Sequence, residues 1–136
     1  MGNEIGYFIC AKLAAAEKTI VCLVGDGCMF MHGTEISTAY NYNSPVLFIV
    51  LNNGRLDMVE KGMQKMIGTS IGGIYETPLD AAKFAESMGL AAYTCYNPND
   101  LVDKIKEALH KIEKTNKTIL IDAIVDENEI PQTMGR

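Results

Sequence analysis

Four apolar runs punctuate the sequence, and the stretches between them carry apolar residues at helical spacing. The first run, Thr19-Ile20-Val21-Cys22-Leu23-Val24, ends at Gly25; the second, Val46-Leu47-Phe48-Ile49-Val50-Leu51, ends at Asn52. Both are continuous rather than alternating, and β-branched or aromatic in large part, which is the pattern of strands buried on both faces. Ala91–Tyr96 is a weaker third run, and Thr118–Val125 is the fourth. Asn97-Pro98-Asn99-Asp100 predicts a helix start: a capping asparagine, proline at the first helical position and an acid in the first turn. Leu101, Ile105, Ala108, Leu109 and Ile112 follow on one face, with lysines and glutamates on the other. Thr77-Pro78-Leu79-Asp80 predicts a second start of this kind, leading into Ala81, Phe84, Ala85 and Met88 and stopped by Gly89. Glu4–Lys18 and Glu35–Asn43 complete the predicted helices. Helix alternating with strand predicts an α/β layer fold with a parallel sheet and right-handed crossovers, and 136 residues predict one domain.

In open sheets of this kind ligands sit beyond the carboxyl ends of the strands, and there the sequence departs from ordinary composition. Gly25-Asp26-Gly27 follows the first run and Asn52-Asn53-Gly54 the second. Two strands expected to be neighbours thus deliver a carboxylate and an amide oxygen to one sheet edge. That is hard-ligand chemistry, suited to magnesium or calcium and unsuited to zinc or copper. Magnesium commonly takes one or two protein side chains and completes its octahedron with water and phosphate oxygens. The glycines allow close backbone approach and offer N–H groups to an anion at the start of the following helix. The pair therefore reads as a site for magnesium plus a phosphorylated ligand. Either motif alone also makes an ordinary turn. What distinguishes them is their spacing, 27 positions from Asp26 to Asn53, with one helix and one strand between.

Composition narrows the partners. Twelve basic against seventeen acidic residues leave a net charge of −5, which argues against nucleic acid or an anionic membrane. The longest apolar stretch, Val46–Leu51, falls far short of the roughly 20 residues that span a bilayer as a helix. No basic segment precedes an apolar core at the start, so no secretory signal is expected. Cys10, Cys22, Cys28 and Cys95 form no CxxC pair and are expected to be buried free thiols in a reducing cytoplasm.

A Gly-Asp-Gly, a stretch of this length and an Asn-Asn after an apolar strand resemble the signature of thiamine diphosphate-dependent enzymes, and in particular their acetolactate synthase-like branch. The resemblance extends to Met1-Gly2 with Ala11-Lys12-Leu13-Ala14, to Val24–Gly27, to Glu35-Ile36-Ser37-Thr38-Ala39, to Val50-Leu51-Asn52-Asn53 and to Met58-Val59, so it covers essentially the whole chain. It implies thiamine diphosphate and Mg²⁺ as cofactors. Asp26, the Asn53 side-chain oxygen and the Arg55 backbone carbonyl would be the metal ligands. Gly25, Gly27 and Cys28 would line the diphosphate, with the N–H groups of Gly27 and Cys28 as donors. Met1 would contact the aminopyrimidine through its backbone, and Met58 would lie near the thiazolium.

The resemblance also implies what else the enzyme needs. A pyrimidine-binding domain, of the same or another chain, would supply the glutamate that protonates the aminopyrimidine. None of Glu4, Glu35 and Glu60 is expected to take that part, so no catalytic residue is expected in this chain. The implied substrate is a 2-oxoacid, the implied reaction decarboxylation with carboligation, and the implied parent a homo-oligomer. The family's domain is a three-layer α/β/α unit whose six parallel strands run in the order 2-1-3-4-6-5. The four runs here correspond to the third to sixth, so residues 1–136 are expected to be a partial C-terminal pyrophosphate domain, a fragment or one completed by a partner, with Ile20–Val24 as an open apolar edge. Asp57 stands where the branch usually has glycine. Gly62 stands where acetohydroxyacid synthases have a tryptophan that shapes the second substrate's pocket, so transfer to 2-oxobutyrate is not implied.

Other conspicuous residues have plain readings. His32 is expected to pack at a helix start, His110 to be solvated, and Lys61 and Lys65 to lie on a solvated helical face. Met29, Phe30 and Met31 read equally as core or as a floor beneath the cofactor.

Overall fold

The register between the two strong apolar runs is the feature that positions everything downstream. In the computed structural model, which describes residues 1–128, strand β1 (Ile20–Gly25) pairs in parallel with β2 (Val46–Asn52), Ile20 opposite Val46 and Gly25 opposite Leu51. In this register the two strands end within one residue of each other, so the glycine-aspartate turn and the twin asparagines emerge side by side. Strand β4 (Ile119–Ile124) pairs with the other side of β2, and β3 (Ala91–Cys95) with the far side of β4. The sheet is parallel throughout, in the order β1-β2-β4-β3. This is the third-fourth-sixth-fifth order expected from the family resemblance. The last eight positions of the expected domain lie outside the described residues.

Helices cover the two faces to make three layers. On one face Cys22, Val24, Phe48, Val50 and Leu120 pack under Ile5 and Ile9 of α1 (Asn3–Ala14), Met29 of α2 (Asp26–His32), Ile36 and Ala39 of α3 (Ile36–Asn41), and Ala81 and Ala85 of α5 (Ala81–Ser87). On the other, Leu47, Ile49, Ile119 and Ile121 pack beneath α6 (Pro98–Thr115) through Leu101, Ile105, Ala108, Leu109 and Ile112. Burial of each large aliphatic side chain is worth about 1.5–3 kcal/mol. The central strands, buried on both faces, therefore hold the domain together. β1 is different. It pairs on one side only among the described residues, and on the α6 side of the sheet Val21 and Leu23 stay 41% and 57% exposed.

Several element boundaries differ from the sequence expectation, each for a local reason. Helix α1 stops at Ala14 rather than Lys18, because the Lys12 ammonium gathers the carbonyls of Ala16 and Lys18, both at 2.6 Å. The expected helix 35–43 is a 3₁₀ turn over Gly33–Glu35 followed by α3, and Asn43 adopts a left-handed conformation just beyond it. Helix α5 begins three residues later than Thr77-Pro78 suggests, capped by the Asp80 carboxylate, which accepts from the Lys83 N–H at 2.9 Å. Helices α2 and α4 (Asp57–Ile67) are additional to the helices expected from the sequence. The α6 start is as expected: Asn97 Oδ1 accepts from Asp100 N at 2.9 Å, with Pro98 in the first turn. Cys22 and Cys95 are buried free thiols, but Cys28 is half-buried and Cys10 exposed, correcting the expectation for those two.

Asn97→Ala removes the α6 cap and is expected to lower stability by about 1 kcal/mol. Urea denaturation should show a lower midpoint with an unchanged slope, and cofactor binding should be untouched.

Candidate functional site

Beyond Gly25 the chain turns directly into α2, so Asp26 is at once the residue after a strand and the first of a helix. Its carboxylate is 3% exposed. Oδ1 accepts from the Gly27 N–H and Oδ2 from the Gly54 N–H, both at 2.8 Å. The second bond ties the two motifs together across 28 positions of sequence. Burial pushes the Asp26 carboxyl above its usual range, and backbone N–H groups of Gly27, Gly54, Arg55 and Asn53 pull it back.

Gly54 occupies a turn at φ +73, a conformation open to glycine at little cost. That turn aims its N–H at Asp26 and, at 3.3 Å, at Asn52 Oδ1. The loop after it is braced by a segment not singled out in the sequence. Leu56 N donates to Gly73 O at 2.7 Å and Tyr75 N to Gly54 O at 3.1 Å, with an antiparallel bridge between Arg55 and Ile74. Gly73 allows this approach, since a Cβ there would lie 2.7 Å from the Glu60 Cβ. The Arg55 side chain supplies a further brace: Nη1 donates to Glu60 Oε2 at 2.9 Å and Nη2 to Glu127 Oε2. Lys61 pairs with Asp57 at 2.8 Å and donates to the Glu127 carbonyl at 3.2 Å. It therefore lies in a tie across the loop, not on the solvated face expected of it; Lys65 is exposed, as is His110.

The structure brings Met1, Gly25, Asp26, Gly27, Cys28, Asn53, Arg55 and Met58 around one cavity of about 510 Å³. All eight residues selected from the sequence line it. Glu4 lines it as well; its Oε1 accepts from the Cys28 thiol at 3.9 Å, and its Oε2 is buried without a hydrogen-bond partner. Met29 is core, whereas Phe30 is half exposed and stacks edge-on against Tyr75, with centroids 4.7 Å apart. Burial, then the Asp26 charge, raises the Tyr75 hydroxyl above its usual range.

The donor chemistry fits a hard cation. Among the described residues no three His, Cys, Asp or Glu side chains are grouped to hold a metal, which leaves carboxylate, amide and carbonyl oxygens. A carboxylate has about four lone-pair sites, and the two bonds from Gly27 and Gly54 leave room for a cation. The N-terminal end of α2 faces the same cavity with backbone N–H groups suited to an anion.

Comparison with known proteins identifies the family. Residues 1–123 match the family model described as the thiamine pyrophosphate enzyme, C-terminal TPP binding domain. The chain belongs to that family, whose cofactor is thiamine diphosphate. Among curated relatives, it is 35% identical over 131 residues to the acetolactate synthase isozyme 3 large subunit of Escherichia coli. It is 39% identical over 130 residues to the acetolactate synthase large subunit of Haemophilus influenzae. Each match covers 95% of this chain and 22% of the relative, so the chain spans about a fifth of their length. The solved structure of a Rhodococcus jostii thiamine diphosphate-dependent 4-hydroxybenzoylformate decarboxylase superposes with a TM-score of 0.83 at 23% identity, over 93% of this chain and 23% of that one. That likeness bears on the fold. No described helix is long and apolar enough to cross a membrane.

An acid whose folded pKa is raised favours the protonated native state, so its contribution to stability is lost as pH rises through the shifted value. In metal-free, cofactor-free protein, Asp26→Asn should therefore gain on wild type as pH is raised from about 3.8, the ordinary carboxyl value, upward. Paired denaturation curves across pH check this; a constant difference would show that Asp26 is not a strained acid.

Proposed function

We propose that this chain is the metal- and diphosphate-holding part of an acetolactate synthase-like enzyme that decarboxylates a 2-oxoacid and joins the product to an acceptor. The observation that carries the reading is the convergence of Asp26, Asn53 and Arg55 on one cavity, locked by the bond from Gly54 to Asp26. In this reading the Asp26 carboxylate, the Asn53 amide oxygen and the Arg55 carbonyl hold Mg²⁺, and diphosphate oxygens and water complete its shell. Gly25, Gly27 and Cys28 lie along the diphosphate. Thiamine diphosphate, when bound, supplies the carbon nucleophile and electron sink for breaking the bond beside the 2-oxoacid carbonyl.

The chain is inactive alone in this reading, because the glutamate that protonates the aminopyrimidine comes from a pyrimidine domain of the same or another chain of a homo-oligomer. Met1 and Met58 at the cavity, and Val59 and Met66 along α4, are exposed apolar residues, the kind of surface such a domain would cover. Two further strands would complete the six on the unpaired side of β1. Gly62 faces open space, with nothing within 4 Å of a Cβ built there. Nothing at that position shapes a pocket for 2-oxobutyrate, so a simple decarboxylase of 2-oxoacids is the second reading.

Calorimetric titration of thiamine diphosphate into the full-length protein, with and without Mg²⁺, tests the proposal. Binding is expected with Mg²⁺ and should disappear with chelator or in Asp26→Asn. No heat in either titration of folded protein overturns it, and equal heat in both would favour a generic phosphate-binding module.

A further inference from the structure

Asp122 lies in the middle of β4, 1% exposed, and its hydrogen bonds go to Asn52 and Ala81, neither of them assigned to metal or diphosphate. A carboxylate so deeply buried is costly unless it is fully hydrogen-bonded. Here both oxygens are used: Oδ1 accepts from Asn52 Nδ2 at 3.0 Å, and Oδ2 from Ala81 N, at the start of α5, at 2.9 Å. Asn52, the first asparagine of the pair, is equally occupied. Its Nδ2 also donates to Leu79 O at 2.7 Å, and its Oδ1 accepts from Gly54 N at 3.3 Å. The same Gly54 N–H reaches Asp26 Oδ2.

An ionised carboxylate accepts and never donates. Facing Asp122 and the Leu79 carbonyl, Asn52 has to present its NH₂ group to both and turn its oxygen toward Gly54. Flipped, it would set oxygen against two acceptors and NH₂ against the Gly54 N–H. The charge on Asp122 thereby fixes the amide orientation that holds the turn at Gly54, immediately after Asn53.

We infer that Asp122 is a positioning residue for the metal loop, acting through Asn52 to set Gly54, and so the Asn53 oxygen and the Arg55 carbonyl, in register with Asp26. The inference rests on the metal role proposed for those residues, and it deepens that role. Asp122→Asn offers an NH₂ to one of the two donors and releases the constraint on Asn52. Asn52→Ala cuts the same relay at its other end and serves if Asp122→Asn does not fold. Ile121→Val, on the opposite face of β4, is the control for plain core destabilisation.

Two measurements on the full-length protein decide it. In metal-free, cofactor-free protein, hydrogen exchange of the peptide covering residues 53–56, followed by mass spectrometry, should quicken at least tenfold in Asp122→Asn or Asn52→Ala and stay as in wild type in Ile121→Val. In thiamine diphosphate titrations the half-saturating Mg²⁺ concentration should rise about 10-fold to 100-fold in the relay variants, the range for partners behind metal ligands, and not in the control. Wild-type exchange and wild-type Mg²⁺ dependence in a folded relay variant would overturn the inference, as would equal changes in Ile121→Val. If wild type itself shows no Mg²⁺ dependence, the metal reading fails, and the exchange comparison still decides whether Asp122 orders the loop.

Discussion

One hydrogen bond, from the Gly54 N–H to the Asp26 carboxylate, is the constraint around which the site is arranged. It exists because β1 and β2 run parallel in a register that ends them side by side. A shift of one residue would turn the strand faces over and part the two motifs. The apolar content of the central strands thus has a second consequence beyond stability: it fixes where two polar turns meet. Sheet packing sets the position, glycine geometry sets the approach, and one carboxylate joins the strand ends.

That arrangement carries unfavourable electrostatics into the interior. Asp26 and Asp122 both ionise reluctantly because burial opposes their charge, and backbone or amide donors only partly offset this. Such perturbed acids gather where function demands them. Elsewhere the charges are conventional, exposed pairs such as Lys83 with Asp80 and Lys104 with Glu107, which contribute little to stability. The Cys22 and Cys95 thiols, pushed by burial up to about 12 and about 11, stay protonated and act as small apolar side chains.

The strand pattern and the strand-end chemistry were legible because both are local: four apolar runs gave the sheet, and the glycine, aspartate and asparagine turns stood directly after two of them. Strand order was accessible through family resemblance. The remaining ties are non-local. Asp122 is a lone acid in an apolar run, and its partner lies 70 positions away; no periodicity joins them. The bracing of Gly54–Leu56 by Gly73–Tyr75 has no pattern of its own. The late start of α5 misled for a related reason. Thr77-Pro78 has the composition of a helix start, but the Leu79 carbonyl is claimed by Asn52, so the ladder starts only after it.

The links that shape the loop also have an order in time. Asp26 and Gly54 are neighbours on the growing chain compared with Asn52 and Asp122, and contacts of large sequence separation form late because loop closure opposes them. During synthesis, both side chains that would hold the metal emerge well before β4, the strand whose Asp122 bonds Asn52. The proposed metal-binding side chains therefore precede the strand that bears on them, and the loop is complete only once β4 has docked.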